Sequence, residues 1–490
     1  MDFSFYDIET DALDACRAGS KRTCCTTASS SADRVYMGDS TGSVAACSAH
    51  GAVALKKQLF DGAVHRMAFV SNAEAGDILF CVGVGECAGD AGLSDDLYLK
   101  VLVGSEMESC ICALNLAGYT DTRHGHSKGG VSSFAVSNSG SLVAVGFQDG
   151  SVLLVALAIS RPGPMCRTGT HVLLAASAED LSRPVTGLHF VQGGNSGDNV
   201  ARLFVVCDTS TSDTMAGRRS LSQSGGRPRT ETDAATGGVV VFTLDKTSRL
   251  IEVRRESRSE LHFPCEALDV QGAAANCSHV CVDTEQLVVA RRKFVSVYSS
   301  TRKESEREYQ EKGEPSGVHC ISSSEILIYS PTHYAVCDLV DRTRYCTGDV
   351  PTGHEIAMVA STLSAVFLVT DTGSLVGLHR KDQKSRIGQY ADRALFRPAL
   401  ELAAREGMGS GVSAAVARQY GDHLLSLGDE EGALSNYANA VGDMARPRYA
   451  YVDQKLRLLL LLLLLSPLPP LTLTLTPPRT PTPPASSFAS

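Results

Sequence analysis

Short runs of apolar residues alternate with polar turn residues from residue 1 to about 380. The runs are four to seven residues long and rich in Val, Leu, Ile and Phe, and they are separated by Gly, Asp, Ser or Asn. This pattern is typical of β-strands joined by tight turns, and long amphipathic helical patterns are scarce here. This part of the sequence therefore predicts an all-β domain.

One strand–turn–strand motif occurs three times in this part of the chain. Its turn residues are, in chain order, Asp39 and Gly42, Asp149 and Gly150, and Asp371 and Gly373. Asp and Gly readily adopt the positive φ angles that tight hairpins need, and the flanking β-branched and aromatic residues favour strands. We therefore predict a β-hairpin at each copy.

The spacing of the three hairpins indicates a repeat architecture. Their Asp residues are 110 and 222 residues apart, which allows whole repeats if one unit has ~37–55 residues, the size of a β-propeller blade. Weaker strand pairs fill the gaps, at Ile78–Val84 with Leu97–Val103, Leu203–Val206 with Val239–Leu244, Leu287–Tyr298 and Ile326–Leu339. Together they predict a β-propeller of about seven blades, WD40-like although the chain has no Trp. A pair of β-sandwiches or another all-β array is the alternative.

A helical pattern replaces the strand pattern after about residue 390. Within 391–408, apolar residues recur at the spacing of an amphipathic helix, and Gly407 and Gly409 mark its end. The next stretch, 412–447, has the pattern of a helix–turn–helix repeat of the tetratricopeptide (TPR) type. One such helix pair cannot bury its apolar face alone, so the pattern predicts the beginning of an α-solenoid.

The packing of this helix pair is predicted to depend on five residues. They are Gly421, Leu424, Ala433, Tyr437 and Ala440. Gly421 and Ala433 are small enough for two helices to approach closely where they cross, and Tyr437 would fill the space beside them. A glycine at 428 suits the end of the first helix because glycine accepts positive φ.

These patterns divide the chain into segments. We predict a β-propeller over 1–385, the start of a short TPR-like or clathrin-repeat-like α-solenoid over 390–455, and a disordered low-complexity tail over 456–490. Residues 209–236, rich in Ser, Gly, Arg and Thr, are predicted to be a disordered loop insertion in the propeller. The charge-dense residues 302–312 are interpreted as a connector.

The tail has a composition that fits neither a packed helix pair nor a membrane span. It contains eight consecutive leucines at 458–465, far fewer than the ~20 apolar residues of a transmembrane helix. We interpret it as the end of a faulty or truncated gene model, or as an alternative end.

Composition and charge exclude several classes of protein. The net charge of −9 without a clustered basic face argues against nucleic-acid binding. The 16 cysteines include no Cys-x-x-Cys pair and many lie in apolar runs, as expected for a reduced cytosolic protein without a zinc site. The acidic N-terminus does not resemble a signal peptide.

No catalytic motif is found in the sequence. It contains no Gly-x-Gly-x-x-Gly or Walker loop and no Gly-x-Ser-x-Gly elbow. His124 and His126 form a His-x-His pair without a third ligand nearby, and Cys320 and Cys346 have no base beside them in the sequence. We therefore predict a protein that is not an enzyme, with no cofactor, no metal and no small-molecule substrate.

Five segments, in the same order, resemble one known family. The most specific is Tyr-Gly-Asp-His-Leu at 420–424, followed by a Gly-Asp turn and by Gly-Ala before Tyr437. The others are the aromatic opening at 3–9, two blade segments at 143–152 and 183–206, and the last strands with the first helix at 366–403. Across roughly 3–447 the chain is similar to the vacuolar protein sorting-associated protein 11 family, and 415–442 resembles the first solenoid repeat of that family.

This resemblance implies a scaffold subunit of the class C tethering complexes HOPS and CORVET. Such a subunit acts in vesicle docking and fusion and in intracellular protein transport to the vacuole or lysosome. Its partners would be the other class C subunits and, indirectly, Rab GTPases and SNAREs. It would be cytoplasmic and associate with late endosomal and vacuolar membranes peripherally, through these partners.

The family also has parts that this sequence does not match. It continues with a long solenoid, a coiled segment and a C-terminal RING zinc domain, which needs paired Cys-x-x-Cys motifs. One alternative is therefore a different propeller–solenoid trafficking scaffold, such as a coat or intraflagellar-transport subunit. Another is a RING-type E3 ligase component, if a longer C-terminus is restored.

Overall fold

The structure of the chain is a computed structural model. The residues it describes are 5–9, 23–29, 34–48, 53–72, 76–85, 96–104, 107, 109–116, 130–160, 165–174, 183–192, 200–208, 238–245, 265–309, 313–339, 343–362 and 365–442. They belong to two units, Met1–Lys381 and Asp382–Ser490, which are described separately below.

The described part of the first unit contains 28 strands. In chain order they are β1 (Tyr6–Glu9), β2 (Thr23–Ser29), β3 (Arg34–Asp39), β4 (Ser43–Ser48), β5 (Val53–Gln58), β6 (Val64–Asn72), β7 (Gly76–Val84), β8 (Leu97–Val103), β9 (Ser109–Asn115), β10 (Val131–Val136), β11 (Leu142–Phe147), β12 (Val152–Ser160), β13 (Met165–Leu174), β14 (Val185–Gln192), β15 (Val200–Cys207), β16 (Val239–Asp245), β17 (Cys265–Asp269), β18 (Ser278–Cys281), β19 (Gln286–Arg291), β20 (Phe294–Tyr298), β21 (Lys303–Glu308), β22 (Gly317–Cys320), β23 (Glu325–Tyr329), β24 (His333–Asp338), β25 (Arg344–Asp349), β26 (Ile356–Ser361), β27 (Ala365–Thr370) and β28 (Leu375–Arg380).

These strands form seven four-stranded antiparallel sheets, the blades of a β-propeller. Blades 1 to 6 are β2–β5, β6–β9, β10–β13, β14–β17, β18–β21 and β22–β25, and blade 7 consists of β26, β27, β28 and β1. The first strands of successive blades contact one another around the centre, and a hydrogen bond between His319 and Ser361 joins β22 to β26. The predicted fold class is confirmed.

The hydrophobic pattern explains why these strands form blades. The middle strands are covered on both faces by the neighbouring blades, and every residue of β11 and of β27 is buried. Separate apolar clusters lie between blades 1 and 2, 2 and 3, 3 and 4, 4 and 5, 5 and 6, and 7 and 1. Burial of these faces between blades is the main favourable term for the ring.

The N-terminal strand closes the ring. β1 pairs antiparallel with β28, with Tyr6 opposite Arg380. The Tyr6 hydroxyl donates a hydrogen bond to the Glu325 carboxylate at 2.9 Å, and the Arg380 guanidinium lies 2.6 Å from the same carboxylate. The rings of Phe5 and Tyr345 are 4.7 Å apart. These contacts attach the closing strand to blade 6 as well as to blade 7.

The sequence located most of the middle strands but misread one outer strand. The four weaker strand pairs are β7 and β8, β15 and β16, β19 and β20, and β23 and β24, in blades 2, 4, 5 and 6. The interpretation of 302–312 as a connector was wrong, because Lys303–Glu308 forms β21. Its charged residues alternate between half-buried and exposed positions, which a solvent-facing outer strand tolerates. The predicted insertion at 209–236, the tail at 456–490 and the His124/His126 pair lie outside the described residues.

The described part of the second unit contains four helices. They are α1 (Gln383–Asp392), α2 (Phe396–Arg405), α3 (Ser410–Ser426) and α4 (Glu430–Gly442). The Asp382 side chain caps α1 by accepting the Ser385 N–H at 2.8 Å. Successive helices contact each other, α1 with α2, α2 with α3 and α3 with α4. The helical pattern predicted over 391–408 is α2, which begins after Ala394 adopts a positive φ of 59°.

Candidate functional site

The α3–α4 pair is held together at a close approach between a glycine and a tyrosine. A Cβ atom placed on Gly421 would lie 2.6 Å from a ring carbon of Tyr437, which is closer than carbon atoms can pack. Tyr437, Ala433 and Ala440 are fully buried, and Leu424 packs against the first two. The Tyr437 hydroxyl donates to the Asp422 carboxylate at 2.5 Å. The structure thus brings the five predicted packing residues into the contact between these helices.

The turn between α3 and α4 satisfies the backbone groups at both helix ends. Gly428 has φ of 82° and its N–H donates to the Leu425 carbonyl, so it occupies the left-handed position that glycine favours after a helix. The Asp429 side chain accepts the N–H of Gly432 at 2.9 Å and so caps α4. The pair is therefore defined locally at its turn as well as by its packing.

Aromatic contacts join α2 to α3. The ring of Phe396 lies 5.2 Å from the ring of Tyr420 and 5.3 Å from that of His423, measured between centroids. His423 is therefore a packing residue on one side of its helix. Three consecutive helices with this nearest-neighbour packing are the arrangement with which an α-solenoid begins.

In the propeller, the three predicted turns each contain a glycine with a positive φ, but they place their Asp differently. The Asp39 carboxylate accepts hydrogen bonds from the N–H groups of Thr41 and Ser43 at 2.9 and 3.0 Å and from the Thr41 hydroxyl at 2.7 Å. Burial alone would raise the pKa of Asp39, but these hydrogen bonds outweigh it and the pKa is lowered. Gly42 has φ of 88°, and a Cβ there would lie 2.1 Å from the Phe60 carbonyl oxygen.

The second turn places its Asp directly before the glycine, and the third has a threonine at the position of Asp39. Asp149 accepts the N–H and hydroxyl of Ser151, and Gly150 has φ of 91°. In the third turn Gly373 again has a positive φ, of 83°. However, the hydroxyl of Thr370 accepts the Ser374 N–H there, and Asp371 instead accepts the N–H of Glu355 before β26. The same sequence motif therefore uses its Asp in three ways.

All three turns connect the second and third strands of a blade, so they lie at the same end of the propeller. We call this end the turn face. It also carries the connections from the fourth strand of one blade to the first strand of the next. The corresponding connection of blade 4, between β15 and β16, contains the residues 209–236, for which the sequence predicts a disordered loop. In blade 5 the connection between the second and third strands, β19 and β20, is Arg292-Lys293.

A cluster of three histidines lies at the centre of the ring, and sequence reasoning missed it. His189, His279 and His319 belong to β14, β18 and β22, the first strands of blades 4, 5 and 6. The ring centroids of His279 and His319 are 4.1 Å apart, and those of His189 and His279 are 6.2 Å apart. Each residue is isolated in the sequence, and only the recurrence of histidine on first strands could have indicated the cluster.

Hydrogen bonds and burial keep these imidazoles neutral. His189 Nε2 lies 2.9 Å from the Ser278 hydroxyl, and the Cys320 N–H donates to His279 Nδ1 at 3.2 Å. Burial, with a smaller contribution from the neighbouring His279, lowers the pKa of His189 to about 3. Burial likewise lowers the pKa of His279 to about 4 and that of His319 well below its usual value. The cluster is therefore uncharged at neutral pH.

The described residues do not combine into a site with recognisable chemistry. Burial raises the pKa of the Cys346 thiol to about 11, and it also raises the pKa of Cys320, which disfavours a reactive thiolate at either position. Among the residues the structure describes, no group of three or more His, Cys, Asp or Glu has the geometry of a metal site. In that same part of the chain, no helix is both long and apolar enough to cross a membrane.

Comparison with known proteins decides the family. A model of the PEP5/VPS11 N-terminal family matches residues 1–258, which is more than half of the 490-residue chain. The chain belongs to the PEP5/VPS11 family. The match includes the first three blades and most of the residues up to β17, so it covers a large part of the propeller of this VPS11-family chain.

Individual relatives agree with this membership. The vacuolar protein sorting-associated protein 11 homolog of Mus musculus is 25% identical over 323 residues, covering 65% of this chain and 30% of that protein. The Homo sapiens homolog has the same identity and coverage. The Dictyostelium discoideum homolog is 23% identical over 129 residues, or 26% of this chain and 13% of that protein. The VPS11-family chain thus spans about a third of the length of the mammalian relatives it matches.

A solved structure with a similar outline is the crystal structure of Chaetomium thermophilum Raptor. It has a TM-score of 0.46 and 10% sequence identity, and the match covers 74% of this chain and 28% of that chain.

Proposed function

We propose that this chain is a scaffold subunit of a class C vacuolar and endosomal tethering complex of the HOPS or CORVET type. In this role it contributes to vesicle docking and fusion and to protein transport toward the vacuole or lysosome. The observation that carries the proposal is the match of the PEP5/VPS11 family model to residues 1–258. These residues form a large part of a closed seven-bladed ring.

The architecture supports a role in binding other proteins. A propeller whose first and last strands share blade 7 is closed, and closure gives a rigid ring that presents its connecting loops at two ends. The three packed helices α2, α3 and α4 are the kind of unit that α-solenoids repeat to form extended binding surfaces. We propose that the turn face and the helical unit contact other subunits.

The proposed role does not require catalysis. The described thiols and imidazoles with resolved pKa shifts are in forms that suit packing: the thiols of Cys320 and Cys346 are protonated, and the three central imidazoles are neutral. We therefore propose a protein without enzymatic activity, cofactor or small-molecule substrate. It would associate with late endosomal and vacuolar membranes peripherally, through partner subunits, and meet Rab GTPases and SNAREs indirectly.

Co-purification from the organism that encodes the chain tests this proposal. The chain is tagged at its genomic locus, purified under mild conditions and analysed by quantitative mass spectrometry, in parallel with membrane fractionation. We expect the other class C subunits in near-stoichiometric amounts and a part of the chain in the endosomal and vacuolar fractions. Recovery of a folded chain with class C subunits no higher than in an untagged control would refute the proposal.

A matched pair of variants tests the contribution of the helical unit. Gly421→Leu introduces a side chain where a Cβ already meets the Tyr437 ring at 2.6 Å, whereas Gly411, in the same helix, has no atom within 4 Å of its Cβ position. We expect Gly421→Leu to lose co-purifying subunits and Gly411→Leu to retain them. Equal recovery with both variants would show that the α3–α4 pair does not take part in assembly.

A further inference from the structure

The closing strand β1 lies in a slot at the outer edge of blade 7. It is the fourth strand of this blade, and it pairs with β28 from Tyr6 opposite Arg380 to Glu9 opposite Gly377. With four residues it is also the shortest of the outer strands of the seven blades. Each of the other outer strands directly follows its neighbour in the chain, whereas β1 and β28 are the first and last strands of the propeller. The closure of the ring therefore depends on a short strand that no tight turn connects to its partner.

Two neighbouring aromatic residues hold the beginning of this strand in the slot. Phe5 and Tyr6 are only 1% and 3% exposed. The Phe5 ring lies 4.7 Å from the Tyr345 ring, and the Phe5 N–H donates to the Tyr345 carbonyl at 2.9 Å. The Tyr6 hydroxyl donates to the buried carboxylate of Glu325. The slot therefore recognises an aromatic residue followed by a tyrosine, and it does so with groups from blade 6.

The rest of the strand is held by its backbone pairing and by side-chain pairs at the surface. Asp7, Ile8 and Glu9 are all exposed. The Asp7 carboxylate lies 3.4 Å from the Lys381 ammonium, and the Glu9 carboxylate lies 2.9 Å from His379 Nε2. Exposed pairs of this kind add little stability. Because few of its side chains are buried, β1 should open locally at a lower free energy than the fully buried middle strands.

We propose that β1 is a releasable latch, and that the slot it vacates binds an extended segment of a partner protein in which an aromatic residue and a tyrosine precede acidic residues. The segment adds to the edge of β28 as a new fourth strand. Its tyrosine donates to Glu325, and its carboxylates lie beside Lys381. This inference goes beyond the proposed function, because family membership assigns no ligand to blade 7.

The slot itself indicates the chemistry of this segment. The edge of a sheet presents a row of backbone N–H and C=O groups, so a segment that replaces β1 has to be extended. Beside this edge lie an acceptor for a hydroxyl, Glu325, and an ammonium that pairs with a carboxylate, Lys381. A second copy of this chain is disfavoured as the source of the segment. Exchange of β1 between two copies adds no contact, and each copy's own strand has the higher effective concentration.

Fluorescence anisotropy with the full chain tests this proposal. The probe is a labelled peptide with the sequence of residues 3–10, Phe-Ser-Phe-Tyr-Asp-Ile-Glu-Thr, and a peptide of the same composition in scrambled order is its control. We expect the natural sequence to bind, with an association rate that levels off at high peptide concentration because the latch must open first. The scrambled peptide should not bind. Failure of the natural sequence to bind, or equal binding of both peptides, would overturn the proposal.

A disulfide across the latch locates the binding. Asp7 and His379 face each other in β1 and β28. Directly opposed residues of antiparallel strands have Cα atoms ~4.5–5.5 Å apart, which suits a disulfide. The double variant Asp7→Cys with His379→Cys, its bond verified by mass spectrometry, should bind the peptide when reduced and not when oxidised. Equal binding in both states would show that the peptide binds elsewhere, and would overturn the proposal.

The same substitution in the chain and in the peptide should have opposite effects. Tyr6→Phe removes the hydrogen bond to Glu325 and weakens the latch, so this variant should bind the natural peptide roughly tenfold more tightly. The same Tyr→Phe change in the peptide should weaken its binding to the natural chain roughly tenfold. Ile8→Thr, at a 47% exposed position, is the control and should leave the affinity unchanged in either molecule. Tyr→Phe effects in the same direction would contradict exchange with β1.

Size-exclusion chromatography with light scattering provides the competing result. A dimer of the purified chain that the oxidised double variant no longer forms would make a second copy the occupant of the slot and overturn the proposal. None of these results bears on class C assembly, because they use the purified chain while co-purification tests the complex.

Discussion

At the scale of single residues, two kinds of glycine hold this fold in place. Gly42 is needed for its positive φ and also for space, because a Cβ there would collide with the Phe60 carbonyl. Gly421 has no special φ but leaves room for the Tyr437 ring. The same residue type thus allows a turn in the propeller and a helix crossing in the second unit.

The first prediction separates backbone conformation from space at Gly42. Gly42→Ala should lower the free energy of unfolding by ~2–4 kcal/mol, since it adds a collision to the cost of positive φ in a non-glycine residue. Gly353→Ala is the control, because Gly353 has φ of 90° but no atom within 4 Å of its Cβ position. It should lower the free energy of unfolding by only ~1–2 kcal/mol. Urea unfolding of the two variants measures the difference, and equal costs would contradict the proposed collision.

The second prediction concerns the helix crossing at Gly421. Gly421→Leu should separate α3 from α4 and lower both the helical circular dichroism and the melting temperature of the helical unit, because the new side chain would collide with the fully buried Tyr437 ring. Gly411→Leu should leave both unchanged, since its Cβ position is open. Normal helicity and melting of Gly421→Leu would contradict the assignment of these residues as the packing centre of a TPR-like repeat.

At the scale of elements, the structure shows which patterns in a sequence carry information. The middle strands could be predicted because they are continuously apolar, and the hairpins of Asp39 and Asp149 because their turns close through the predicted Asp and Gly. The strand β21 could not, because its charged residues resemble a connector, and α1 could not, because its buried Arg386 is paired with Glu406, the residue that follows α2. Both depend on contacts with the adjacent element of the chain, β20 for β21 and the end of α2 for α1, rather than on their own pattern.

The ring closure by β1 leads to the third prediction. Glu325 is 1% exposed and accepts from Tyr6 and Arg380, so Glu325→Gln removes the charge that holds both. We expect the free energy of unfolding to fall by ~2–3 kcal/mol. Hydrogen exchange in β1 and β28 should become faster than in the natural chain, and by more than it does in β11. Glu304→Gln, on the outer strand of blade 5, is the control. It should change neither the free energy of unfolding nor hydrogen exchange in β1 and β28. Unchanged exchange in β1 would show that pairing with β28 alone holds the closing strand.

At the scale of the whole molecule, the ring brings together residues that no local pattern connects. His189, His279 and His319 come from three different blades and meet only because their strands are innermost. The propeller itself could be predicted from repeats of hydrophobicity, whereas the histidine cluster depends on how the blades are arranged around the axis.

The histidine cluster predicts how stability depends on pH. The folded pKa values, about 3 for His189 and about 4 for His279, lie below the unfolded value of ~6.5, so the unfolded chain binds more protons on acidification. The stability that depends on neutral imidazoles is complete above pH ~6.5 and is lost progressively as the pH falls toward 4 and then 3. Between pH 7 and 5, His189 and His279 should each lower the free energy of unfolding by on the order of 1–2 kcal/mol.

A variant without one imidazole tests this expectation. His279→Gln keeps an acceptor for the Cys320 N–H but does not titrate, so its free energy of unfolding should fall less steeply between pH 7 and 5 than that of the natural chain. His354→Gln is the control, because His354 lies in a surface turn beside Thr372, and its pH profile should follow the natural one. If His279→Gln and the natural chain lose stability in parallel, groups other than the central cluster govern the acid sensitivity of the propeller.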